Sequence, residues 1–197
     1  MTQMRQLGHE VRPPVAPVQW GDHVSATTDA GFVLPVGTIT LVLADIEGSS
    51  RLWESRPDEM RPAMARFNAV VDEAVGTHGG VRPVEQGEGD SFLAAFPRAT
   101  QAVACALEIS LTLASEQSPI NLRLGIHTGE VEQRAGGNYA GTEVNRCARL
   151  RDTAHGGQIV VSQPTHDLVL DRLPEGVVLR DLGSHRLRDL ARPEHLY

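Results

Sequence analysis

The chain has 197 residues, with 18 basic against 25 acidic side chains and a formal charge of −7. That length suits one domain with a single core, and the acidic balance argues against a general nucleic-acid binder, which needs a basic face. All 18 basic residues are arginine, so a P-loop lysine and Schiff-base chemistry are both excluded, and any cationic side chain on a phosphate must be arginine.

Residues 1–36 are polar and punctuated by Pro13, Pro14 and Pro17, and are expected to form a flexible extension onto which Trp20, Phe32 and Leu34 can pack. The domain proper is expected over 37–197. TITLVLA (38–44) is rich in β-branched residues and almost wholly apolar, as in a strand buried on both faces, and it runs into Asp45 and then IEGSS. Met60, Met64, Phe67, Val71 and Val75 recur near helical spacing over 57–76, and Gly79-Gly80 ends that helix. VRPVEQ (81–86) and SFLAAF (91–96) read as a hairpin around the acidic turn GEGD.

A second amphipathic helix is expected over 98–115, a long strand over 121–134 and a third helix over 140–154. The strand QIVVS (158–162), a short helix at 163–170 and strands near 176–182 and 185–197 complete an α+β chain. No apolar run approaches the roughly 18–20 residues needed to span a bilayer, and the start lacks a signal-peptide segment. Cys105 and Cys147 give no disulfide framework, so the expected location is the cytoplasm, away from membranes and nucleic acid.

The chemistry gathers at the turns. Asp45 ends the first strand and Asp90 lies in the turn before SFLAAF, so neighbouring strands bring both carboxylates to one sheet end. Such a pair is a hard-oxygen site for Mg²⁺ or Mn²⁺ together with substrate phosphates, although an aspartate in either place also serves as a turn-former by hydrogen-bonding its own backbone. Gly48, Ser49 and Ser50 leave backbone N–H groups free to cradle phosphate at a helix start. Asn145 and Arg149, four apart, share a helix face, either as a buried-side amide and guanidinium or as an exposed polar stripe.

In this order and spacing, LVLADIEGSS, VEQGEGDSFLAAF, LRLGIHTGEV, NYAGTEVNRCARL and GSHRLRDLARPEHLY resemble the class III nucleotidyl (adenylate and guanylate) cyclase catalytic domains, especially their bacterial, actinobacterial branch. The resemblance implies a ferredoxin-like βαββαβ core with a C-terminal β-hairpin, and conversion of ATP to 3′,5′-cyclic AMP and pyrophosphate. It implies two Mg²⁺ or Mn²⁺ ions held by Asp45, Asp90 and the Ile46 carbonyl, with Asn145 on the ribose and Arg149 on the α-phosphate in the transition state. Arg123 then matches a phosphate-contacting arginine, and Arg188 stands where the family usually has a phosphate-binding lysine. Active sites of this family lie between two subunits, which implies a homodimer.

At the base-reading positions the family's lysine–aspartate or glutamate–cysteine pairs are replaced by Gln86 and Asn138. An amide carries both donor and acceptor, so the pair can face adenine or, rotated, guanine; ATP is the expected substrate, with GTP side activity. The alternative is a catalytically silent nucleotide-binding or dimerisation module derived from a cyclase.

Overall fold

The computed structural model describes residues 34–83, 89–134 and 136–197. The order of elements is β1 (Gly37–Ile46), α1 (Ser49–Ser55), α2 (Pro57–Thr77), β2 (Ser91–Phe96), α3 (Ala99–Ser115), β3 (Leu122–Arg134), β4 (Asn138–Ala140), α4 (Thr142–Thr153), β5 (Gln158–Val161), α5 (Gln163–Val169), β6 (Gly183–His185) and β7 (Glu194–Leu196). β1 lies between β2 and β3, antiparallel to both; β3 then pairs antiparallel with β4 and parallel with β5. β6 and β7 form a separate two-stranded hairpin. This is the expected α+β arrangement with a small C-terminal hairpin. Among the described residues no helix is long and apolar enough to cross a membrane.

Both faces of the sheet are covered, which is why β1 is apolar on both faces over most of its length. Val42, Ala44 and Ile46 point to the face on which α2 and α3 contribute Phe67, Val71, Ala106 and Ile109. Ile39 and Leu41 point the other way, to Leu34, Tyr139 and Cys147 of α4. Leu34 is 1% exposed, and its carbonyl accepts a hydrogen bond from Gln133 Nε2, so this residue of the expected extension packs on the sheet. A third cluster, Leu150, Ala154, Val160, Leu187 and Leu196, packs the C-terminal hairpin against the outer side of α4.

α4 comes unusually close to the sheet, and Gly125 is the reason. A Cβ there would lie 2.5 Å from the Arg151 amide nitrogen and 2.8 Å from the Cys147 carbonyl oxygen. Cys147 Sγ donates at 3.3 Å to the Gly125 carbonyl from the same contact.

Two expected strands differ from what forms. In the described part of VRPVEQ only Val81 pairs, in a single antiparallel bridge to Ala95, because Pro83 has no N–H to extend a ladder. The strand expected near 176–182 is absent: Val178 is 86% exposed with no neighbouring strand, and pairing begins only where Leu182 N donates to the Leu196 carbonyl at 2.9 Å. Similarly, the closing strand is only Glu194–Leu196 rather than most of 185–197, since the segment before it turns at Asp189 with φ 62°.

Candidate active site

The ends of β1 and β2 open onto a cleft of about 460 Å³, lined by Asp45, Ile46, Gly48, Ser49, Ser50, Arg51, Asp90 and Arg123. The β1–β2 register sets Asp45 opposite Ser91, and Ile46 N donates to the Asp90 carbonyl oxygen at 3.1 Å, so both aspartates reach one sheet end. Gly48 takes φ +66°, a conformation costly for other residues, and turns the chain into α1. That turn carries Ser49, whose hydroxyl donates to Asp90 Oδ2.

Asp45 is not a free carboxylate. Arg123, directly opposite on β3, donates from Nε to Oδ1 at 2.8 Å and from Nη2 to Oδ2 at 2.6 Å. The carboxylate raises the Arg123 pKa above its ordinary value through these hydrogen bonds, against the opposing effect of burial. A second guanidinium arrives from α4, with Arg151 Nε 3.5 Å from Asp45 Oδ2. The expected phosphate contact Arg123 is therefore engaged by a carboxylate of its own cleft.

The other expected residues form a second group. Arg149 donates from Nη2 to Asp189 at 2.8 Å and from Nη1 to Asp152 at 3.3 Å, and Arg188 Nε donates to the same Asp189 carboxylate at 3.1 Å. The fold thus brings Arg149 and Arg188 together from α4 and the C-terminal hairpin. Of the two readings of this face, the exposed polar one is what Asn145 shows: it is exposed, because this face of α4 turns away from the sheet contact made by Cys147. Asn145, Arg149 and Arg188 do not line the Asp45–Asp90 cleft. Asn138 is buried on β4, opposite Arg134, whereas Gln86 lies outside the described residues.

Three further residues were not singled out by sequence reasoning. Arg51 lines the cleft and would approach a Gly48 Cβ to 3.3 Å; its position immediately after IEGSS was a usable signal. Arg151 and Asp189 had none, since each matters through a contact made across the fold. His127 is structural: its ring is bound between Ser162 Oγ at 2.8 Å and Glu143 on the first turn of α4, and burial lowers its pKa despite that carboxylate. Cys105 and Cys147 are buried thiols, each pushed up to about 12 by desolvation, and so are unreactive packing groups.

The donor set tests whether divalent metal fits. Asp45 and Asp90 are the two carboxylates lining the cleft, and no group of three or more His, Cys, Asp or Glu suited to a metal exists among the described residues. Two carboxylates and a backbone carbonyl are hard oxygen donors, which suit Mg²⁺ or Mn²⁺ when phosphates complete the shell. The residues fit the group.

Comparison with known proteins establishes the family and the fold. The family described as adenylate and guanylate cyclase catalytic domain matches residues 33–188. The uncharacterized protein Rv0891c of Mycobacterium tuberculosis is 52% identical over 166 residues, covering 84% of this chain and 57% of that protein. A second uncharacterized protein of that organism, Rv1359, is 43% identical over 159 residues, covering 81% and 60%. The chain thus spans little more than half the length of these relatives. Among solved structures, the adenylate/guanylate cyclase/hydrolase from Silicibacter pomeroyi superposes with a TM-score of 0.69 at 30% identity, over 81% of this chain and 94% of that one. Adenylate cyclases from Trypanosoma brucei in their monomeric state share the fold, with a TM-score of 0.70 at 24% identity over 89% and 93%. From the span of the family match and the identity to these relatives, the chain belongs to the adenylate and guanylate cyclase catalytic domain family.

Proposed function

We propose that the protein is a metal-dependent nucleotidyl cyclase that converts ATP to 3′,5′-cyclic AMP and pyrophosphate, with GTP side activity, in sites shared across a homodimer. The observation that carries this reading is the division of the expected residues into two groups. Asp45, Asp90 and Arg123 line one cleft, whereas Asn145, Arg149 and Arg188 do not line it, and among the described residues Arg149 is linked to it only through Asp152 and Arg151. Two copies related by a twofold axis bring one group of each chain against the other, in two equivalent sites.

In the reaction the ribose 3′-hydroxyl gives up its proton to solvent and the 3′-oxygen attacks the α-phosphorus. The bond from that phosphorus to the bridging oxygen breaks, and pyrophosphate leaves. Asp45, Asp90 and the Ile46 carbonyl would hold two Mg²⁺ or Mn²⁺ ions, which when bound lower the pKa of the 3′-hydroxyl and neutralise the triphosphate. Asn145 orients the ribose by hydrogen bonding. Arg149 leaves Asp189 to donate to the α-phosphate oxygens as charge builds there. Arg188 binds the triphosphate, and Arg123 reaches it by releasing Asp45. Ser49 and Ser50 offer hydroxyl and N–H donors at the phosphate end of the cleft, beside the turn made by Gly48. Gln86 and Asn138 read the base as a pair of amides, each able to present either hydrogen-bonding sense.

The test is product formation from ATP and from GTP, with Mn²⁺ and then Mg²⁺, using the purified protein beside Asp90→Ala. Cyclic nucleotide that disappears in the variant supports the reading. The capture of Asp45 by two arginines favours a second one, a nucleotide-binding module without turnover. A dimer that binds ATP and forms no product under either metal selects that module.

A further inference from the structure

Arg151 stands outside the residues assigned above, yet it is the second guanidinium at Asp45. It sits near the end of α4, where the absence of a side chain at Gly125 lets the helix backbone touch the sheet. Its Nη2 is tied to Asp152 at 2.8 Å, which directs the rest of the group inward. Its Nε is buried, makes no hydrogen bond among the described residues, and lies 3.5 Å from Asp45 Oδ2. A cation that faces a carboxylate without a hydrogen bond acts on it through charge alone.

We propose that Arg151 is a fixed counter-charge to Asp45 that weakens divalent-cation binding in the cleft until nucleotide arrives. The inference rests on the cyclase reading, in which Asp45 is a metal ligand. The two arginines at Asp45 differ in how they can respond. Arg123 holds the carboxylate by two hydrogen bonds and projects from the sheet, so it can exchange Asp45 for a phosphate. Arg151 is anchored by Asp152 and by the packing of its own backbone, so its charge stays beside the carboxylate. A divalent ion entering alone meets that charge. An ion arriving with a triphosphate brings compensating negative charge, so cation and nucleotide bind together.

The experiment is titration of the nucleotide-free protein with Mn²⁺, reading free Mn²⁺ by electron paramagnetic resonance. The wild type is compared with Arg151→Gln, Arg151→Ala, Arg151→Lys and Asp45→Asn, after circular dichroism has established that each is folded. The two neutral variants are expected to bind Mn²⁺ roughly tenfold more tightly, the influence of one unit charge in a partly solvated cleft, while Arg151→Lys stays within about twofold of wild type. Unchanged or weaker binding in both neutral variants, with wild-type binding abolished by Asp45→Asn, overturns the role of Arg151 and leaves the cyclase reading standing. Mn²⁺ binding that is insensitive to Asp45 in every protein overturns both.

Discussion

Asp45 and Arg123 face each other across the β1–β3 pair and are joined by two hydrogen bonds of 2.8 and 2.6 Å. A residue expected to hold metal and one expected to hold phosphate thus neutralise each other before any ligand binds. The pair is partly buried, with side chains 16% and 31% exposed, so removing one partner leaves the other poorly solvated. Asp45→Asn is expected to reduce turnover at least about a hundredfold and to cost about 1–3 kcal/mol of stability. Cyclase assays and urea unfolding measure the two effects separately.

A composite site can be tested by mixing two inactive proteins. Asp45→Ala and Arg149→Ala damage different groups, so a mixed dimer contains one intact site and one doubly damaged site. With random exchange of subunits, half the dimers are mixed and activity recovers to about a quarter of wild type. Absence of recovery after demonstrated subunit exchange would place all the catalytic residues within one chain.

The contact at Gly125 predicts a stability effect remote from any ligand. Gly125→Ala forces a methyl group against the Arg151 amide and the Cys147 carbonyl, both backbone atoms that cannot rotate away. The expected loss is about 1–3 kcal/mol by chemical denaturation, as for other overpacked sites. Turnover should fall as well, because α4 carries Asn145 and Arg149.

His127 makes stability depend on pH in a defined direction. Burial depresses its folded-state pKa below the ordinary 6.5, so below that pH the unfolded chain takes up a proton that the folded chain resists. The stabilising contribution is complete above 6.5 and is lost as pH falls through the depressed folded value. The unfolding temperature should therefore drop on going from pH 7 to pH 5, and by less in His127→Gln. An identical drop in the two proteins assigns the dependence to other groups.

The proposed reaction assigns base choice to the amides at 86 and 138. The double variant Gln86→Lys with Asn138→Asp installs a fixed charge pattern of the kind the resemblance associates with adenine. It should raise the ratio of ATP to GTP turnover by about tenfold. Parallel assays with both nucleotides read this directly.

Much of this protein is determined by its sequence. TITLVLA must be buried on both faces, the helical spacing of Met60 to Val75 must pack on a sheet, and Asp45 and Asp90 must end up at neighbouring strand ends. These are local patterns, fixed by periodicity and by turns that glycine permits. The total lack of lysine likewise left arginine as the only cationic side chain for phosphate. Tertiary structure alone decided the pairings: Arg123 and Arg151 on Asp45, and Arg149 with Arg188 on Asp189. Arg123 lies 78 positions from Asp45, and Arg149 lies 40 from Asp189. No local pattern encodes such contacts, because they follow from the strand register and from how closely α4 can approach the sheet at Gly125. For the same reason the strand expected at 176–182 failed to form: its β-branched residues suit a ladder, but the fold places no partner beside them.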